Sequence, residues 1–375
     1  MTDQHSSQPK NNNKRTASWL ELFFDLIFVV AIAKASHVLL NTHNGYIDNL
    51  LYLKYVLIMI PIWWAWTGAT LYSSRFDCDD TLQRLMTFTQ MFCVILLAAN
   101  INLDFDSYYR GFLFSYLAIR LLTVLMYLRV SYSQAEKRFV SNYLALIFSA
   151  GILISLISIC FDGLLRYFLL YFGIVFDIVM TLLAKKRLNS IPVNSHHLPE
   201  RYGLLTIILL GEAVLSLTNS FKNISWSLTS IAMACSGFIL TCSIWWLYFD
   251  NLDQRIAGKH LGHGQGIIFS HLFIYLGLGG IAAMVYFSVI PGLNLLGFKG
   301  LSAFAIFSFL LAQQTLQIFY HSENTKRHLI VVIFLSNLLL AVLITFANSI
   351  PFVMLGTTIL VLIYLVFSHY RLQNI

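Results

Sequence analysis

Charge is what this sequence has least of. Only 11% of its 375 residues are Asp, Glu, Lys or Arg, against about 25% in an ordinary soluble domain, so a fully water-facing surface cannot be assembled from it. Proline is scarce too, with six in all, and apolar stretches run on without the punctuation that separates soluble domains. The five cysteines, Cys78, Cys93, Cys160, Cys235 and Cys242, contain no Cys-x-x-Cys pair, which argues against a disulfide framework or a zinc site. A phosphate-binding loop, a nucleophile elbow, a dinucleotide glycine pattern and a metalloprotease helix are all missing. A soluble enzyme is excluded by this composition, and neither enzymatic activity nor a cofactor is expected.

What the sequence has instead is apolar and aromatic. Hydrophobic residues make up 58%, with 30 Phe and 19 Tyr, and mean hydropathy is +0.72. The apolar runs repeatedly approach the ~20 residues that a helix needs to cross a bilayer. Spans are expected at 19–40, 50–72, 82–101, 111–129, 139–160, 164–184, 201–218, 226–249, 267–290, 300–320, 328–347 and 350–369. The expected fold is therefore all-α, a polytopic membrane bundle of about twelve transmembrane helices, with the lipid bilayer as its first partner. Residues 1–18 form a polar tail with no cleavable signal pattern. Residues 19–184 make a first six-helix half, 185–200 a basic linker, and 201–375 a second half.

The net charge of +7 does not point to nucleic acid, because the basic residues stand singly between apolar runs. Their placement reads as a topology signal. With the N-terminus inside, seventeen Lys and Arg fall in inner segments and five in outer ones, leaving Lys34 and Arg120 within the membrane. That asymmetry places both termini in the cytoplasm.

The two halves look related. Glu21 precedes Trp63-Trp64 by 42 residues and Glu200 precedes Trp245-Trp246 by 45. Each acid opens a helix, each Trp pair lies in the next one, and Asp77 or Asp250 follows at the inner end. Six helices per half is an even number, so both halves keep one orientation. Parallel repeats about an axis along the membrane normal are expected.

Several blocks carry a family resemblance. Trp19-Leu20-Glu21-Leu22-Phe23-Phe24-Asp25-Leu26-Ile27-Phe28-Val29 opens the first span, and Trp63-Trp64-Ala65-Trp66-Thr67-Gly68 leads to Arg75-Phe76-Asp77. Arg120 stands within Ala118-Ile119-Arg120-Leu121-Leu122. The second half adds Glu200-Arg201-Tyr202-Gly203-Leu204-Leu205-Thr206, with Gly211-Glu212 further on, and Trp245-Trp246-Leu247-Tyr248-Phe249-Asp250. This set resembles the bacterial low temperature requirement A family through about residue 285, departing from it at Lys34, where the pattern carries a neutral residue. The resemblance implies a multi-pass protein of the bacterial inner membrane, linked by name to growth in the cold. It implies no particular substrate.

Ionisable groups in a bilayer core are costly unless paired or solvated, which makes them the candidate site. Asp25, Arg120, Asp177 and Glu212 qualify, with Glu21 and Ser216 on the same helix faces as Asp25 and Glu212. Glu21 has two open readings. Ser18 and Glu21 form a capping box at the start of a helix, and Glu21 also shares the face of Asp25 at i, i+4. Arg120 and Glu212 both fall near mid-bilayer by helix rise, so a buried ion pair between them is expected. Asp25 and Asp177 would form an acidic pair on the cytoplasmic side, an arrangement suited to proton coupling. Glu200, Trp63, Trp64, Asp77, Trp245, Trp246 and Asp250 are expected at structural, interfacial positions. His260 and His263 in a Gly-rich loop are more simply a hydrophilic loop than a metal site, so no bound metal is expected.

Twelve helices, parallel halves and central charges in both favour a secondary transporter of a small solute or ion, proton coupling included. An ion channel is the alternative, because Phe23-Phe24-Asp25 resembles the Phe-Ser-Asp of two-repeat potassium channels. A membrane-embedded sensor or enzyme is the third reading. Oligomeric state is not legible. A topology reporter fused after Lys186 should report the cytoplasm and one fused after Lys222 the outside, and finding both on one side would break the twelve-span map.

Overall fold

The computed structural model describes residues 15–76, 78–221, 227–255, 264–320 and 323–373. Asp77, Lys222, His260 and His263 lie outside the described residues. The described residues form thirteen α-helices: α1 Trp19–Ser36, α2 Asn49–Arg75, α3 Thr81–Ala99, α4 Phe105–Ser133, α5 Arg138–Ile157, α6 Leu164–Leu183, a short α7 Lys185–Leu188, α8 His197–Ser220, α9 Leu228–Arg255, α10 Gln265–Val289, α11 Leu295–Phe319, α12 Glu323–Phe346 and α13 Ile350–Gln373. Every expected span coincides with one of the twelve long helices. Eleven of these are long and apolar enough to cross a membrane among the described residues, while α12 contributes a shorter apolar stretch, Ile330–Phe346.

Local chemistry sets the helix starts. Ser18 caps α1 through a complete capping box with Glu21, as its spacing predicts. Asp80 accepts from Gln83 N at 2.9 Å to cap α3, and Asn294 accepts from Gly297 N at 2.8 Å to cap α11. Between α1 and α2, Asn44 and Gly45 both have positive φ, 51° and 81°, in a tight turn closed by paired His43 and Tyr46. Gly45 suits the position because L-residues resist that backbone conformation. Its carbonyl then accepts from Asn294 N at 2.8 Å, tying this turn to the start of α11.

The interior is apolar as in a soluble protein, but the exterior is apolar too. Large apolar side chains such as Phe88, Phe92, Leu146, Leu153 and Phe168 point outward, whereas Asp25, Arg120, Asp177 and Arg201 are buried. A lipid solvent rewards that pattern, because helix association in membranes is carried by close packing and interior polar contacts. The most enclosed span is α10. Gly277 lets the α11 backbone approach so closely that an added Cβ would lie 2.6 Å from Phe309 N.

Contacts between chain ends show that the helices alternate in direction. One end of the bundle joins Asn194 to Ser74, Arg129 to Asp80 and His369 to Asp250. The other joins Gly45 to Asn294, Lys54 to Leu103 and Lys299 to Thr345. The first of these ends gathers the inner segments of the sequence reading and is here called the basic end. At that end, outside the spans, the Arg129 guanidinium and the Gln83 amide hold the Asp80 carboxyl below the usual carboxylate range.

The helix neighbours of the two halves agree only in part, since α9 packs closely on α13 and α10 whereas α2 has no such close packing on α6 or α3 among the described residues. In the first half α1 packs on α2 and α3, α3 on α4, α4 on α2 and α5, and α5 on α6. In the second half α8 packs on α9 and α10, α10 on α11, α11 on α9 and α12, and α12 on α13. Between the halves, α1 and α2 each touch α8 and α10. The two Trp pairs nevertheless differ in setting. Trp63 and Trp64 are 2% and 3% exposed, inside the bundle rather than at an interface as expected, whereas Trp245 and Trp246 are 45% and 48% exposed.

Pro61 sits inside α2. Proline lacks an N–H, so the carbonyl four residues earlier loses its helical partner. That carbonyl, Leu57 O, accepts instead from the Tyr171 hydroxyl of α6 at 2.8 Å. Tyr171→Phe should therefore strand a carbonyl in the membrane interior and destabilise the protein by about 1–3 kcal/mol. A drop in the thermal midpoint of the purified protein would show it, and an unchanged midpoint would mean that Leu57 O has another partner.

Candidate functional site

The site begins with one guanidinium. Helix α8 starts four residues before Arg201, so this side chain enters the bundle one turn inside the helix rather than in a connecting loop. Arg201 Nε donates to Asp25 Oδ2 at 3.0 Å and Nη2 to Asp25 Oδ1 at 2.6 Å. Its Nη1 lies 3.0 Å from Glu21 Oε1 and donates to Ser73 Oγ at 3.3 Å. A fork of parallel N–H donors matched to a carboxylate is the strongest geometry available to an arginine. Trp66 Nε1 adds a donor to Asp25 Oδ1 at 2.7 Å, and His197 Nε2 lies 3.0 Å from Glu21 Oε1. Glu21 thus caps α1 and also bonds across to α8.

These contacts join α1 to α8, the first long helices of the two halves. Beside them Ala17 N donates to Glu200 at 3.1 Å. Glu21, Arg201 and Ser73 line a cavity of about 370 Å³ at the basic end, whose wall continues through Tyr72, Gln83 and Gln90. Gln90 is fully buried and donates to Thr123 Oγ1 at 2.9 Å and to Ile119 O at 3.1 Å. A second cavity of about 360 Å³ lies against Glu200, Gly203 and Leu252.

Arg120 does not pair with Glu212. Its Nη2 is bonded to Asp177, which also accepts from Trp64 Nε1 at 3.5 Å. The Arg120 guanidinium lies 4.4 Å from the Phe148 ring centre, a cation–π contact that offsets part of the desolvation cost. Gly68 leaves room for it, since a Cβ there would come 2.8 Å from Nη1. Arg120 Nε and Nη1 and Asp177 Oδ1 have no hydrogen-bond partner among the described residues. Glu212 is half-buried at the edge of the outward side of α8, between half-buried Ile208 and exposed Leu215 on one flank and buried Ser216 on the other, and it has no ion pair among the described residues. The error arose because helix rise gives depth but not azimuth. At the neighbouring Gly211 a Cβ would meet open space, so no other helix approaches closely there. Ser216 is buried but lines neither cavity.

Asp25 and Asp177 do not form an acidic pair. Each has its own arginine and its own tryptophan, and Trp64 and Trp66 leave α2 about 200° apart by helix geometry. The two arrangements repeat one motif: a buried carboxylate, a guanidinium from a distant helix and an indole N–H from α2. One lies within the first half and the other spans the seam.

Among the expected structural positions, Asp250 accepts from Trp246 Nε1 at 2.9 Å and lies 2.6 Å from His369 Nδ1. Arg84 donates to Asp79 at 2.8 Å. No group of three or more His, Cys, Asp or Glu side chains that could hold a metal occurs among the described residues. Sequence reasoning missed Arg201, His197 and Trp66. Arg201 opens the expected 201–218 span, where hydropathy alone gives it the place of an end charge although the helix begins at His197. The signal that could have found it is Glu200-Arg201-Tyr202, a charged pair running straight into a span.

Comparison with known proteins places this architecture. A sequence profile for the bacterial low temperature requirement A protein matches residues 16–367. The chain is also 27% identical over 273 residues to an uncharacterized protein of Rhizobium meliloti (strain 1021), covering 69% of this chain and 65% of that relative's length.

The pairing of Arg120 with Asp177 generates a double-mutant prediction. Arg120→Leu or Asp177→Leu alone strands a buried charge at a cost of about 3–5 kcal/mol, whereas an apolar pair is close to neutral. Each single variant should lose most folded protein in size-exclusion profiles, and the double variant should regain it. Glu212→Leu should stay within about 0.5 kcal/mol of the parent. Rescue of Arg120→Leu by Glu212→Leu instead would show that the pairing is wrong.

Proposed function

The chain belongs to the bacterial low temperature requirement A family, and on that premise we propose that it is a secondary transporter of a small solute or ion, with its basic end in the cytoplasm of a bacterial cell. Two parallel six-helix halves move against each other in this reading, for which the helix neighbours common to both halves speak. The observation that carries it is the Arg201–Asp25–Glu21 cluster. It sits on the seam, joins the leading helices of both halves, and borders a cavity open at one end.

In alternating access a site is exposed to one side at a time as halves rock about it. The seam must then hold firmly in one state and release in the other. A charge cluster suits that task because it is bistable: well satisfied when closed, and strongly attractive to water, protons or solute when parted. Arg201, Asp25 and Glu21 form the latch, while Ser73, Gln83 and Gln90 offer the cavity neutral polar contacts. A proton taken by a latch carboxylate removes one of Arg201's counter-charges, which couples protonation to release. Arg120 and Asp177 keep the first half rigid during the movement.

Reconstitution tests this. Proteoliposomes loaded with a pH-sensitive dye and challenged with pools of amines, amino acids and inorganic ions should show solute-dependent proton movement. Arg201→Lys keeps the charge but loses the fork, at about 1.5–3 kcal/mol for a charge-assisted bond, so flux should fall about ten- to a hundredfold. Unitary currents across a planar bilayer would instead establish a channel. Neither flux nor current for any pool would remove the transport reading.

A further inference from the structure

The segment leading into α1 lies across the mouths of both cavities. Arg15 and Thr16 line the cavity of Glu21 and also that of Glu200. The Arg15 guanidinium is bonded to the Ser73 carbonyl and lies 3.4 Å from Glu21 Oε1. Ser73 and Glu21 belong to different helices, α2 and α1, so this guanidinium fills a position made by the bundle.

Charge bookkeeping shows what the position requires. Arg201 is engaged by Asp25 through two hydrogen bonds, and Asp79, at the rim, is paired with Arg84. The cavity linings then hold two further carboxylates, Glu21 and Glu200, and among the described residues Arg15 is the one cation common to both linings. With Arg15 swung away, Glu21 would keep only an arginine shared with Asp25 and the His197 imidazole, beside Tyr72, Phe76 and Phe24 of the first cavity, aromatic faces of the kind that attract organic cations. A cleft of one sign with low-dielectric walls concentrates the opposite charge.

We infer that Arg15 is a tethered occupant of a cation-binding position formed by Glu21 and the Ser73 carbonyl, which takes the guanidinium or primary ammonium group of a small organic cation once Arg15 is displaced. This deepens the transporter reading by naming a solute class and rests on it for the cavity's role, but the binding position stands without flux. The linker Arg15–Ser18 is then a lid whose own side chain imitates the ligand. Ala17, held to Glu200, anchors it on the opposite half.

Cys78 lines the same cavity and supplies the readout. The full chain, with Cys93, Cys160, Cys235 and Cys242 replaced by Ala, is placed in nanodiscs and treated with a trimethylammonium or a sulfonate methanethiosulfonate. Arg15→Gln should speed modification of Cys78 by the cationic reagent about tenfold, and by the anionic reagent far less. Methylguanidine should slow the cationic reaction in Arg15→Gln. Arg15→Lys should return it to the parent rate, and Glu21→Gln added to Arg15→Gln should abolish both selectivity and protection. Should Glu21→Gln fail to fold, the contrast between Arg15→Gln and Arg15→Lys still decides. Unchanged rates in Arg15→Gln, or equal acceleration by both reagents without protection by methylguanidine, would overturn the inference. Protection without flux in proteoliposomes would remove the transport reading alone, and flux without protection would remove this site alone.

Discussion

A guanidinium cannot stay charged and unpaired in a hydrocarbon interior, and much of this bundle is arranged around two of them. Arg120 and Arg201 are each about 1% exposed. Each is met by a carboxylate from a helix distant in sequence and by the nearby indole of an α2 tryptophan that steadies the same carboxylate. These requirements fix which helices must touch. Asp177 brings α6 against α4 and α2, and Asp25 brings α1 against α8. Glycines answer locally, with Gly68 opening the space that the Arg120 guanidinium fills. Apolar packing could satisfy many helix orders, whereas pairing two charges selects few.

The two pairs differ in how fully they are satisfied. The seam arginine is bonded through all three nitrogens, to Asp25, Glu21 and Ser73. Arg120 leaves two nitrogens without partners among the described residues and leans on Phe148 instead. A fully bonded group has discrete alternatives, because parting it exposes several strong donors and acceptors at once. An under-bonded group held by packing has less to release. That contrast fits a moving seam and a stiff half.

Much of the fold was legible in the sequence because lipid imposes one strong rule, long apolar helices with charges pushed to the ends. All the spans emerged from it, and so did the alternation of helix direction. The capping box at Ser18 and Glu21 was legible for the same local reason. Side-chain azimuth was not. Helix rise placed Arg120 and Glu212 at similar depth, yet Glu212 sits half-buried at the edge of the outward side of α8 while Arg120 turns toward α6. Arg201 escaped notice because hydropathy marks where a span becomes apolar, not where its helix begins. The role of Trp64 and Trp66 was hidden as well, since a tryptophan pair reads as an interfacial anchor until its N–H groups are seen to meet carboxylates.

Helix α2 holds both carboxylates, one on each flank, and its proline lies between its first half and these two tryptophans. Freed of one internal bond at Leu57, the helix is a shaft with a soft joint below two oppositely set handles. A small turn of the shaft would loosen one grip as it altered the other. A coupling of the seam to Asp177 through this helix would need no direct contact between the two arginines. A substitution at Pro61 would consequently be felt on both sides of the protein at once.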